Sequence, residues 1–152
     1  MLPRFYRFII VNNSGQTMTY NDNARYNLLV THWIITPSTG LIAYTQDVDD
    51  DLSFAGGSST ADGGEDLSDE IDNTSNLFEG ALVQLAATHD AGGLADGTFD
   101  IYLDGGEATG QLASDASGYA SAEANKLQFI GSLTWESNGL DDEVMYSPVF
   151  NV

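Results

Sequence analysis

The chain has 152 residues, 42% hydrophobic and 11% aromatic, and its 23 acids against 4 bases give a net charge of −19. That apolar content supports one folded domain and excludes a chain disordered throughout. The acidity excludes nucleic acid and anionic membrane surfaces as partners, and the absence of cysteine excludes disulfides and thiolate chemistry.

The opening MLPRFYRFIIVNN turns polar after Val11 and lacks the small-residue cleavage site of a secretory signal. No run approaches the roughly 18 apolar residues of a membrane helix. Phe5 to Val11 is predicted as a first strand, with Tyr6, Phe8 and Ile10 on one face and Ile9 and Val11 on the other. A strand apolar on both faces belongs at the centre of a sheet or at an interface, which makes Phe5, Phe8, Ile9 and Val11 interface candidates. Asn12-Asn13-Ser14-Gly15 is turn chemistry, and Gln16 to Tyr20 is predicted to complete a hairpin.

Arg25 to Thr36 is rich in Tyr, Val, Thr, Trp and Ile and reads as a strand. Pro37-Ser38-Thr39-Gly40 turns it into Leu41 to Val48, a second hairpin. Residues 49–76 hold acids, Ser and Gly and few large apolar side chains, and read as a long acidic loop or insertion. Leu77 to Ala87 returns to a strand pattern. Asp96 to Gly106, DGTFDIYLDGG, is the clearest strand of all: Phe99, Ile101 and Leu103 alternate with Asp100, Tyr102 and Asp104 between turn-forming ends. A helical turn is predicted near Tyr119 to Asn125. Lys126 to Trp135 reads as a strand with Leu127, Phe129, Leu133 and Trp135 on one face, and Val144 to Val152 closes the chain with Pro148 at an edge or bulge.

About eight strands with no long helix predict an all-β fold. The expected architecture is one antiparallel β-sandwich domain over residues 1–152, jelly-roll-like, with Phe99, Ile101 and Leu103 buried against Leu127, Phe129, Leu133 or Trp135.

Chemical signatures are sparse. His32 lies within an apolar strand, the pattern of a core or interface histidine, and His89 precedes Asp90 in a Gly-rich segment. There is no nucleophile elbow, phosphate loop, dinucleotide fingerprint or zinc spacing. Asp47, Asp49 and Asp51 have the alternate spacing of a calcium loop, but counting from Asp47 puts Leu52 where an EF-hand needs Gly and Ser58 where it needs Glu. A non-EF calcium site would draw on the same loop with Glu65, Asp66, Asp69, Glu70 and Asp72. Asp100, Asp104 and Glu107 have the carboxylate density of a glycosidase without a setting that would raise a pKa. Trp33, Trp135, Tyr102, Tyr119 and Tyr146 are stacking platforms for sugars if exposed and core if not. The expectation is a non-enzyme without a cofactor.

GTFDIYLDGG at Gly97 to Gly106, followed by a Ser/Ala/Gly-rich insertion and then LQFIGSLTW at Leu127 to Trp135, resembles small virion proteins of tailed bacteriophages. FIIVNNSGQTM at Phe8 to Met18 is similar to strands of those chains that end in Asn-Asn-Ser/Thr-Gly. The resemblance implies a structural protein of the virion: a capsid decoration (cement) protein that stabilises the head through contacts with the major capsid protein, or a neck or tail component. It implies protein partners, homo-oligomers and assembly in the host cytoplasm. A carbohydrate-binding sandwich that recognises host glycans is the alternative that the aromatics suggest.

Overall fold

The computed structural model describes residues 1–19, 25–47, 59–89, 96–110, 112–115, 127–135 and 143–152. The strands are β1 (Phe5–Asn13), β2 (Met18–Thr19), β3 (Arg25–Ile35), β4 (Ile42–Asp47), β5 (Ser59–Thr60), β6 (Glu65–Leu67), β7 (Ile71–Asp72), β8 (Gly80–His89), β9 (Gly97–Gly106), β10 (Gln128–Trp135), β11 (Glu143–Tyr146) and β12 (Phe150–Asn151), with a 3-10 turn at Ala113–Asp115. Sheet I has the order β10-β9-β1-β6, with β7 also on β1. Sheet II has the order β11-β8-β3-β4, with β12 also on β8, and β2 pairs β5 apart from both. All the pairings are antiparallel.

The two sheets share one core. Tyr6, Phe8, Ile10, Phe99, Ile101, Leu103 and Leu133 of sheet I pack with Leu28, Val30, Ala81, Val83, Leu85 and Ala87 of sheet II. Each is an alternate residue of its strand, as the two-residue period of a pleated strand requires. Burying a large apolar side chain of this kind contributes roughly 1.5–3 kcal/mol. The all-β sandwich expected from the pattern of strands and turns is present, and the burial of Phe99, Ile101 and Leu103 with Leu133 is as predicted.

β1 is apolar on both faces because it is buried on both. Ile9 and Val11 point away from the main core into a second cluster with Leu127, Tyr102 and Ala113. The segment after β9 therefore covers part of sheet I's outer face.

The structure corrects the sequence reading at four places. The described part of the expected Gln16 to Tyr20 strand does not form a hairpin with β1: β2 pairs Met18 with Thr60 and Thr19 with Ser59, and β1 is flanked by β9 on one side and by β6 and β7 on the other. The turn residues mark a change of direction without specifying the partner. Residues 59–76 of the expected acidic loop are strands and turns, with Glu65 opposite Val11 and Leu67 opposite Ile9. An edge strand with one wet face has few positions that need apolar side chains. The third correction concerns β10. The register against β9 shifts between Phe129 and Gly131, a β-bulge that reverses which face later residues occupy. Leu127 joins the outer cluster, Ile130 and Leu133 join the main core, and Phe129 is 55% exposed. Fourth, Asp104 is buried rather than on a wet face. The helical turn expected near Tyr119 to Asn125 and residues 49–58 of the acidic loop lie outside the described residues.

Pro148 sits at a bulge, as its chemistry suggests. β11 ends with Tyr146 opposite Ala86, and β12 resumes with Phe150 opposite Val83. Three residues thus face two. Ser147 closes the gap, its N–H donating to Leu85 O at 2.8 Å and its hydroxyl accepting from Leu85 N at 2.9 Å.

Candidate functional site

Five of the carboxylates that the sequence offers as chemistry, Asp66, Glu70, Asp72, Asp100 and Asp104, hold turns and strands together. Asp104 accepts from Ala113 N at 3.1 Å, Ser114 N at 2.8 Å and Ser114 Oγ at 2.6 Å. It thereby ties the 3-10 turn to β9 and supplies an acceptor for two backbone N–H groups that a helical start leaves without one. Asp100 accepts from Asn13 Nδ2 at 2.7 Å and Ser132 Oγ at 2.5 Å, linking β9 to both its neighbours. Glu70 accepts from Thr109 Oγ1 and Gly110 N and stands 4.0 Å from the Arg7 guanidinium. Asp66 takes a hydrogen bond from Thr60. Asp72 accepts from the N–H and the hydroxyl of Thr74, and these bonds hold its carboxyl below the usual range. The Asp72-x-Thr74 cap is legible as local turn chemistry. The role of Asp104 is not, because its donors lie nine and ten residues away.

Glu65 is the exception on this face. Its Oε1 is buried without a hydrogen-bond partner among the described residues, and burial raises its pKa above the ordinary carboxyl value. The Tyr102 phenol is pushed up by burial first, then by the charges of Asp100 and Glu65. Its ring packs against Phe129 with centroids 5.3 Å apart.

His32 is a core residue, 1% exposed. Its Nε2 lies 2.5 Å from the Tyr6 hydroxyl, and its ring stacks on Phe78 at 4.4 Å, with planes 9° apart. His89 closes β8 opposite Glu143; Asp90, which follows it, lies outside the described residues. Of the calcium candidates, Asp47 ends β4 opposite Val30, and Asp49 and Asp51 lie outside the described residues. Among the described residues no group of three or more His, Asp or Glu is placed to hold a metal ion.

The interface candidates on β1 serve the fold. Phe8, Ile9 and Val11 are buried within the chain and Phe5 is half-buried. With β9 on one side and β6 and β7 on the other, β1 has no free edge among the described residues at which a neighbour could add.

The outer face of sheet II is different. Leu29, Ile35, Ile42, Tyr44 and Tyr146 are all exposed there. The Trp33 ring lies across Gly80, where an added Cβ would fall 2.5 Å from it, and its Nε1 donates to Asn151 Oδ1 at 3.2 Å. Trp33 pairs with Tyr44 across β3 and β4, and Ile35 with Ile42. Periodicity alone does not reveal this face, because a β3 apolar on both sides reads as an interior strand.

These features define a two-sheet antiparallel β-sandwich whose carboxylates stitch one sheet and whose other sheet has an apolar exterior. Comparison with protein-family models, curated proteins and solved structures found no match.

Proposed function

We propose that this protein is a structural component of a phage virion, a capsid decoration (cement) protein that stabilises the head by contacts with other virion proteins. The observation that carries the reading is the resemblance in GTFDIYLDGG and LQFIGSLTW. Those two segments are hydrogen-bonded neighbours, β9 and β10, from Leu103 opposite Gln128 to Gly97 opposite Trp135. A neck or tail position is the variant of the same reading.

The strand path supports a jelly roll, a fold used by viral capsid and lectin domains. Four antiparallel pairs make up the main paths of the two sheets, leaving out β7 and β12: β9 with β10 and β1 with β6 in sheet I, β8 with β11 and β3 with β4 in sheet II. These are the pairs of a ribbon wound into a jelly roll, with the chain entering at a different strand from the usual one. Both ends of the chain meet the start of β8: Leu2 N donates to Phe78 O, and Val152 exchanges backbone bonds with Ala81.

Mass spectrometry of purified particles assembled from the genome that encodes the chain tests the proposal. The expected result is this chain at fixed stoichiometry with the capsid protein; its absence from washed particles overturns the reading. A second reading, glycan binding, is favoured by Trp33, Tyr44 and Tyr146 on one sheet face. A glycan array run with calcium and with chelator tests it, and silence in both removes it.

A further inference from the structure

We propose that the outer face of sheet II is the surface on which two copies of this chain pack, sheet against sheet. The inference stands on the chemistry of that face and does not depend on the virion reading. Tyr26 to Gln46, β8 and β12 contain no Asp, Glu, Lys or Arg, in a chain with a net charge of −19. The charges of the sheet sit at strand ends, at Arg25, Asp47 and Glu143. The exterior of sheet I instead carries Arg7, Glu65 and Asp100 among its strands.

This contrast selects the occupant. A basic partner is drawn to carboxylates, which the sheet II face lacks. A second copy is repelled wherever carboxylates meet, each pair about 8 Å apart in water costing roughly 0.5 kcal/mol. It approaches without that repulsion only on an uncharged surface. There it finds apolar contacts in Leu29, Ile35, Ile42 and Tyr44, every one exposed in the single chain. β3 and β8 are 11 and 10 residues long, roughly 35 Å, and with the shorter β4, β11 and β12 at a spacing of about 4.8 Å they offer about 500 Å² of projected area. Accessible area exceeds projected area, so the face approaches the roughly 800 Å² per partner of a standard stable interface. Sheets packed face to face about 10 Å apart are the ordinary way for β structure to bury such a surface. β4 pairs only β3 among the described residues, and covering an apolar edge of this kind also protects it from uncontrolled strand addition.

Sedimentation equilibrium on the full chain tests the inference, with sodium chloride raised from about 0.05 to 0.5 M. A dimer is expected that tightens by about threefold or more with salt, because screening removes the repulsion of two acidic chains. Ile42→Asp and Tyr44→Asp, each adding a carboxylate from both copies to the contact, are expected to weaken it by about tenfold or more. Phe129→Asp, on the opposite sheet, is expected to leave it unchanged. Both sheet II sites are exposed, and far-ultraviolet circular dichroism with a thermal melt confirms that each variant folds. A wild-type monomer at every salt concentration overturns the inference. So does a dimer that Phe129→Asp disrupts and the sheet II variants do not, or a monomer that a glycan array retains through Tyr44, which would put a sugar on this face.

Discussion

The ring of Phe150 lies directly over Gly131, so close that a Cβ built on the glycine would fall 2.3 Å from the ring carbons. Phe150 belongs to sheet II and Gly131 to sheet I, so this contact is one of the points at which the two sheets meet. It explains why a glycine stands inside a strand, where it otherwise weakens the structure. Gly131→Ala should destabilise the fold by about 1–3 kcal/mol through overpacking. That exceeds the roughly 0.4–1 kcal/mol that a less flexible unfolded chain returns. In urea unfolding, Phe150→Leu should recover part of the loss, giving a coupling between the two sites that a double-mutant cycle reads directly.

Asp104 anchors the turn that covers sheet I's outer face. It is 2% exposed, with three intramolecular donors on its two oxygens. Asp104→Ala leaves the N–H groups of Ala113 and Ser114 without their acceptor, at a cost of about 2–4 kcal/mol. Asp104→Asn retains one acceptor oxygen and should lose less. Hydrogen exchange followed by mass spectrometry should show faster exchange of those two amides in the alanine variant, with the amides of β8 and β3 unchanged at low denaturant.

Leu77 holds a φ of 53°, a left-handed backbone that an L side chain adopts only under strain. Asn73 imposes it: Leu77 N donates to Asn73 O at 3.0 Å, and Phe78 N donates to Asn73 Oδ1 at 2.7 Å, closing a tight loop into β8. The Leu77 side chain is largely exposed, so it recovers little by burial. Leu77→Gly should therefore raise stability by roughly 0.5 kcal/mol, the strain of about 1–2 kcal/mol released less the roughly 0.4–1 kcal/mol that a more flexible unfolded chain costs. Asn73→Ala should lower it by about 2 kcal/mol or more, since Asn73 Nδ2 also donates to Pro3 O and Phe78 O. Thermal melts of the two variants should move in opposite directions.

Much of the sandwich is legible along the chain because each strand must show alternate residues to one core. Phe99, Ile101 and Leu103 announce that period, and the β3–β4 turn announces itself through Gly40, whose φ is 67°. Pairing is another matter. Phe8 meets Leu103 and Ile9 meets Leu67, and nothing local to Phe8 or Ile9 encodes partners so far away in sequence. β6 has the composition of a loop because Glu65 and Asp66 are acids on an edge strand. Phe129 and Leu133 share a face by alternation but lie on opposite faces in the structure, because the bulge between Phe129 and Gly131 changes the face of everything after it. The apolar exterior of sheet II was hidden for a related reason: alternation distinguishes the two faces of a strand but not a face covered by its own chain from one left open.

Glu65 has a folded pKa raised by burial, and its Oε1 has no hydrogen-bond partner among the described residues. A carboxyl with a raised folded pKa binds its proton more tightly folded than unfolded. Its contribution is therefore most favourable below the unfolded pKa and falls as pH rises through the folded pKa. Above that pH the native state carries a partly desolvated charge that the unfolded chain leaves in water. Glu65→Gln removes that charge, so its melting temperature should exceed wild type at pH 7, and the gap should close as the pH is lowered below the ordinary carboxyl range. The same substitution removes one of the two charges that raise the Tyr102 pKa. Ultraviolet titration should show the Tyr102 phenolate forming at lower pH in the variant, with a Tyr102→Phe control to identify the signal. A melting advantage that persists undiminished in acid would show that the gain comes from something other than the charge of Glu65.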